Sequence, residues 1–179
     1  MAAIKVLYSF AVSGILTLTS TNNLSIKHDR VSTPVDMDDL VKILNESYLN
    51  INGDVPHENV VAGAWAQISL ENAKGKKVWN YNLGNIGYFP DKFDGPYYSH
   101  FGKSTFKSFP NFIKGAESYW RFLQDRCPIA IKNFRLRVPR AAATSLKRCN
   151  YYRSDEELYS RNLAALYEEG LRRAKSRKQ

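Results

Sequence analysis

Residues 60–87 read VVAGAWAQISLENAKGKKVWNYNLGNIG, a run that parses as a helix followed by a polar, aromatic loop. Val61, Ala64, Trp65 and Ile68 recur at helical spacing, as a buried stripe does. Upstream, Asp54 is a candidate cap and Pro56 sits where a first-turn proline is tolerated. Val60, Ala64, Gln67 and Glu71 follow at steps of four, three and four residues, which puts Glu71 on a flank of the stripe. Gly75 ends the helix within a turn, so the Glu71 carboxylate stands near its C-terminal end. Apolar walls and a negative helix terminus both disfavour the ionised carboxylate, the condition that keeps a glutamate available as a general acid near neutral pH. On spacing alone a solvated helix-end glutamate is the plainer reading.

The loop narrows the choice. Trp79, Tyr81 and Tyr88 crowd together with Asn80, Asn82 and Asn85, and Gly84 and Gly87 allow tight turns between them. Aromatic faces interleaved with amides suit sugar rings that carry hydroxyl and acetamido groups. A carboxylic acid beside such a surface suggests cleavage of a glycosidic bond. Residues 87–109, GYFPDKFDGPYYSHFGKSTFKSF, alternate turn formers with aromatics and predict short strands or an ordered loop along one wall of a cleft. Asp91 and Asp94 in this run are the nearest candidates for a second carboxylate. Neither sits in a motif, and solvated turn residues are the plainer reading of both.

Three blocks carry a resemblance. AQISLENAKGKKVWNYNLGNIG (66–87), STFKSFPNFIKGAESYWRFLQ (104–124) and SLKRCNYYRSDEELYSRNLAALYEEG (145–170) occur in that order. The chain thereby resembles the lysozyme-like peptidoglycan glycosidases: the autolysin and flagellar-type N-acetylglucosaminidases and their phage relatives, with lytic transglycosylases as more distant kin. In that family a helix ends in Ala-Gln-x-x-x-Glu, matched by Ala66, Gln67 and Glu71. The following loop carries Asn-x-Gly-Asn, matched by Asn82, Gly84 and Asn85. A Tyr-Tyr block precedes the terminal helix, matched by Tyr151 and Tyr152, of which Tyr152 is the better match to a groove-lining tyrosine. The family often continues Glu-Ser/Thr-Gly-Trp-Gly, where this chain has Glu71-Asn72-Ala73-Lys74-Gly75. The resemblance implies a mainly α, lysozyme-like domain with a small loop or hairpin lobe that hydrolyses the glycan strands of peptidoglycan. Glu71 would be the general acid and Asn82, Asn85, Tyr88 and Tyr152 the groove residues. It implies no cofactor and no metal. Two readings stand beside it: a lytic transglycosylase, and a non-catalytic component of a phage tail or injection assembly that keeps the same body.

The rest of the chain sets the frame. Its 179 residues suffice for one domain with a sizeable core, and an aromatic content of 13% fits a globular body rather than a disordered one. A formal charge of +9 favours encounter with a polyanion without choosing among wall polymer, lipid and nucleic acid. Nucleic-acid binding would rest on charge alone and is not expected. Cys127 and Cys149 either pair in an oxidising compartment or remain two reduced thiols. Residues 1–20 are too short and too hydroxylated for a stable membrane span. They read as a β arm, alternating through Ile4, Val6, Tyr8 and Phe10, or as an export segment with Lys5 ahead of an apolar run. An arm implies a protein assembly, such as a virion tail acting at the cell wall; an export segment implies a secreted or periplasmic protein. Residues 1–34 are accordingly assigned to arm and linker, and residues 35–179 to the domain.

Within the domain, helices are predicted from VDMDDLVKILNESYL, from the run after Pro110 carrying Phe112, Ala116, Tyr119, Trp120 and Leu123, from pieces divided by Pro128 and Pro139, and from the run after Ser154 with Leu158, Ala165, Leu166 and Tyr167. Trp120 is read as core. His28, His57 and His100 have no zinc-type spacing, and neither a Gly-x-Ser-x-Gly elbow nor a complete phosphate loop is present.

Overall fold

The computed structural model describes residues 26–88, 95–100 and 104–176. Helix α2 (Glu58–Glu71) runs through the centre of the domain, with every residue from Asn59 to Ser69 buried. Ala62, Gly63, Ala64 and Ala66 keep it thin, so its neighbours close on it from several sides. A Cβ at Gly63 would stand 2.2 Å from Cγ of Phe134, which occupies that space instead. The helix therefore has no solvent face, and the expected one-sided stripe is corrected to burial all round. Its start differs as well. His57 is the cap, its Nδ1 accepting the Asn59 N–H at 3.2 Å, while Asp54 and Pro56 precede the helix.

On α2 pack α1 (Met37–Asn52), α4 (Pro128–Arg135) and α6 (Glu156–Ser176), while α3 (Phe112–Arg126) packs on α1 and α4, and α5 (Pro139–Arg148) on α4 and α6. Asp36 caps α1 by accepting the Asp38 N–H at 2.6 Å, and Gly53 ends it in the left-handed region at φ +76°. Pro128 and Pro139 each open a helix, where a missing N–H costs nothing. Two indoles tie α1 into the core: Trp65 Nε1 donates to the Met37 carbonyl at 2.9 Å, and Trp120 Nε1 to the Leu44 carbonyl at 3.0 Å. Trp120 is thus core, as expected.

Helix α6 lies along α2, with Gly170 at the closest approach; a Cβ there would meet the Ala62 carbonyl oxygen at 2.7 Å. Its buried face is Tyr159, Leu163, Tyr167, Leu171 and Ala174. The stripe is offset from the expected one, since Leu158 is 47% exposed and Ala165 is also exposed. Asp155 caps the helix, accepting the Leu158 N–H at 2.8 Å.

Strands β1 (Tyr97–His100) and β2 (Ser104–Lys107) form an antiparallel hairpin with Tyr97 opposite Lys107. Residues 26–33 border this lobe. His28 N–H donates to the Tyr97 carbonyl at 2.7 Å, and Thr33 N–H to the Val78 carbonyl at 2.9 Å. This part of the presumed linker thus belongs to the domain. Cys127 and Cys149 form a disulfide with Cα atoms 5.7 Å apart, joining the start of α4 to the end of α5. The architecture is mainly α with a small hairpin lobe, as the sequence led us to expect. No described helix is long and apolar enough to cross a membrane. The proposed arm, residues 1–20, lies outside the described residues.

Candidate active site

Glu71 is the last residue of α2, at the point where the buried helix emerges. Asn72 closes the helix: its backbone N–H reaches the Ile68 carbonyl, and its side-chain amide donates to the Leu83 carbonyl. The loop beyond doubles back through left-handed residues. Ala73, Lys74, Asn80, Tyr81 and Asn85 all have φ between 48° and 58°, and Gly75 has φ +78°. At Gly75 a side chain would force the backbone to shift, because a Cβ would lie 2.3 Å from the Val35 carbonyl oxygen. This compact loop and the hairpin form one wall beside Glu71, and the connection into α6 forms the other.

Between them lies a cleft of about 490 Å³. Trp79 and Phe106 give it aromatic surface on the loop and hairpin side, where Tyr98 is almost fully buried, and Tyr151 and Tyr152 line the opposite side. Glu71 and Asn85 open into it, with Lys77 and Arg153 as cationic lining. The Arg30 guanidinium sits 3.7 Å from the centre of the Trp79 ring. Lys147 steadies the far wall by donating to the Arg153 and Ser154 carbonyls at 3.1 and 2.6 Å. A larger hollow of about 630 Å³ lies around Pro56 and Glu58. It is at the opposite end of α2, roughly 20 Å away at 1.5 Å rise per residue.

The carboxyl of Glu71 is held by Tyr159, whose hydroxyl donates to Oε1 at 3.1 Å. Burial raises the Glu71 pKa above the ordinary 4.5, and the Tyr159 hydrogen bond offsets part of that rise. The cleft's cations are not among the groups that hold it down. Burial likewise pushes the Tyr119, Tyr151 and Tyr159 phenols upward, with the Glu71 charge adding to each, so all three serve as neutral donors. Tyr152, pushed up to about 12 chiefly by burial, stacks on Tyr159 with ring centres 3.6 Å apart. Tyr151 donates to the Gly84 carbonyl at 2.8 Å, and Tyr119 donates to Gln67 one turn before Glu71. The site is therefore a weakened acid on a rigid helix end, backed by neutral phenols and facing an aromatic cleft.

Of the residues singled out in the sequence, Glu71, Asn85 and Tyr152 share this cleft. Asn85 also donates to the Glu71 carbonyl oxygen at 3.4 Å. Asn82 does not line it: fully buried, its amide bonds the Ile86 and Lys107 carbonyls at 3.0 Å each and its oxygen takes the Ile86 N–H. The residue shapes the loop from inside. Tyr88 is also corrected from groove to interior, 2% exposed and stacked on Tyr97 at 4.6 Å. Asp91 and Asp94 lie outside the described residues. Among the described residues no cluster of potential metal ligands is present. Tyr159, Lys77 and Arg153 are site residues that sequence reasoning missed. Only the four-residue spacing Tyr159-Leu163-Tyr167 marked Tyr159 as inward-facing, which says nothing about its partner.

Comparisons with family models, with curated proteins and with solved structures found no match to this chain.

Proposed function

We propose that this protein cleaves the glycan strands of peptidoglycan, with Glu71 as the general acid. The observation that carries the reading is the environment of Glu71: a carboxyl whose pKa burial raises, fixed by Tyr159, at the edge of an aromatic cleft of about 490 Å³. A general acid must hold its proton near the working pH, and burial moves Glu71 in that direction. Aromatic walls suit stacking on pyranose faces, and Asn85 offers an amide to an acetamido group.

In the proposed step Glu71 gives its proton to the glycosidic oxygen as the C1–O bond breaks. The leaving sugar departs with a free hydroxyl. Water adds at C1 and returns a proton to the carboxylate, giving net hydrolysis as an N-acetylglucosaminidase would perform it. Glu71 is the carboxylate among the cleft's described lining residues. Chemistry completed by the substrate's own groups is therefore the second reading. Attack by the sugar's 6-hydroxyl in place of water would make the enzyme a lytic transglycosylase. The virion or wall-facing setting rests on the N-terminal stretch alone.

The test is digestion of purified peptidoglycan by the wild type and by Glu71→Gln, with mass spectrometry of the released fragments. The proposal expects soluble muropeptides from the wild type only, since losing a general acid costs about 10²–10⁴-fold in rate. Reducing N-acetylglucosamine ends identify hydrolysis, and anhydro-muramyl ends identify transglycosylation. Release by neither protein, with wall binding intact, would leave a structural part of a tail or injection assembly.

A further inference from the structure

We propose that the disulfide-closed corner formed by α4 and α5 docks onto an anionic lipid bilayer. The charge distribution is the first observation. From Arg126 to Ser154 the chain carries Arg126, Lys132, Arg135, Arg137, Arg140, Lys147, Arg148 and Arg153 with no aspartate or glutamate, eight cations against a net +9 for the whole protein. The ion pairs among the described residues use Lys42, Lys74, Lys114 and Arg173 and leave this segment out. Cross-linking Cys127 to Cys149 holds six of these cations in one short loop against their mutual repulsion.

The second observation is apolar. Ile129, Leu136 and Val138 are 64%, 61% and 42% exposed, so this acid-free, cation-rich segment also shows three aliphatic side chains to solvent. Ile129, Lys132 and Leu136 follow at three and four residues, on one face of α4 and its C-terminal end, while Ala130 and Phe134 bury the other face. The tip between the helices is fixed. Arg137 takes φ +60°, and the Arg137 and Val138 N–H groups close on the Phe134 and Asn133 carbonyls at 2.9 and 3.0 Å. Glycine is the usual residue at such a helix end, and this chain places an arginine there.

A nucleic acid or an anionic wall polymer would use the cations and leave the aliphatic side chains without a role. A bilayer surface uses both: phosphates meet the arginines, and the apolar tips enter the boundary between head groups and acyl chains. Arg153 lines the cleft and Lys147 holds its wall, so the docking surface is assigned to Lys132, Arg135, Arg137 and Arg140 beside the aliphatic tips, none of which lines the cleft.

The experiment is co-sedimentation of the full-length protein with phosphatidylcholine vesicles, with and without about a quarter phosphatidylglycerol. Binding is expected only with the anionic lipid. The combined variant Ile129→Ser, Leu136→Ser, Val138→Ser should bind at least about tenfold more weakly, because each removed methylene forfeits burial at the interface. The combined variant Arg135→Gln, Arg137→Gln, Arg140→Gln should lose at least about tenfold at low salt. All three positions of the first set are exposed, and thermal melting checks that both variants fold. Absence of wild-type binding to anionic vesicles overturns the proposal. So does full binding by the serine variant, which would reduce the corner to a general polyanion site; duplex DNA competing equally against both proteins would identify that case.

Discussion

Tyr159→Phe is the sharpest probe of the site, because it removes one hydroxyl and leaves the ring that stacks on Tyr152. That hydroxyl is what offsets the rise that burial gives the Glu71 pKa. A hydrogen bond to a charged group contributes about 1.5–3 kcal/mol and one between neutral groups about 0.5–1.5 kcal/mol. Glu71 is only partly buried and the contact is 3.1 Å, so the lower part of each range applies. At pH 8 the variant should lose about 1.5–2 kcal/mol, or roughly 3–8 °C in Tm for a chain of this size. At pH 4, with the carboxyl protonated, the loss should fall to about 0.5–1 kcal/mol, or roughly 1–4 °C. The sign follows from linkage. A carboxyl whose folded pKa lies above its unfolded 4.5 contributes stability that is fully present below about pH 4.5 and is lost as pH rises through the folded value. Removing the hydroxyl raises the folded value further and deepens that loss. On the proposed mechanism the alkaline limb of kcat/KM should also move to higher pH, since the acid keeps its proton longer. Melting curves at the two pH values are the assay. A Tm loss equal at both, or larger at pH 4, would refute the argument that Tyr159 favours the ionised carboxyl.

Glu71→Gln should raise Tm at pH 8 relative to wild type and give no gain at pH 4, because a neutral amide escapes the burial penalty that acts on the carboxylate; melting at both pH values checks it. Replacing Cys127 and Cys149 by serine should cost about 3 kcal/mol from the loop that the disulfide closes. That is roughly 6–12 °C, read by calorimetry with and without reductant. Gly170→Ala should cost about 1–3 kcal/mol, since its Cβ must push α6 off the backbone of Ala62 and the ring of Trp65; denaturant titration measures it. Lys77→Ala with Arg153→Ala should weaken binding to glycan that carries peptide carboxylates and spare glycan stripped of its peptides, as calorimetric titration into Glu71→Gln would show.

Helix existence was legible throughout, because Leu40, Leu44, Trp120, Leu123 and their neighbours repeat at helical period and Pro128 and Pro139 punctuate the chain. What periodicity could not reveal was the centrality of α2. A helix buried on every side shows no contrast between faces, so Val61, Trp65 and Ile68 looked like a stripe when they are one side of a fully enclosed rod. Glu71 was findable because its chemistry is local to a helix end. Asn82 and Tyr88 were misplaced because an asparagine-rich aromatic loop reads the same whether its amides face a ligand or its own backbone. Tyr159, 88 residues further along the chain, becomes a neighbour of Glu71 only through the packing of α6 on α2.

That long-range contact is one of three at the same end of α2, and together they bear on whether Glu71 is an ordinary helix-end residue. Gln67, Glu71 and Asn72 are polar positions on a buried rod. Each is met by a different element: Tyr119 from α3, Tyr159 from α6, and the Leu83 carbonyl from the loop. The accommodation is incomplete, since Gln67 Nε2 and Asn72 Oδ1 have no hydrogen-bond partner among the described residues. Each such buried atom costs about 1–3 kcal/mol, and an apolar residue of similar size would avoid it. A solvated glutamate at a fraying helix end needs none of this. A glutamate that must stay still is served by three elements locked to the turn that carries it, and its burial outweighs the Tyr159 hydrogen bond, which by itself favours the ionised form. The stability given up at Gln67, Glu71 and Asn72 supports reading this end of α2 as the catalytic one.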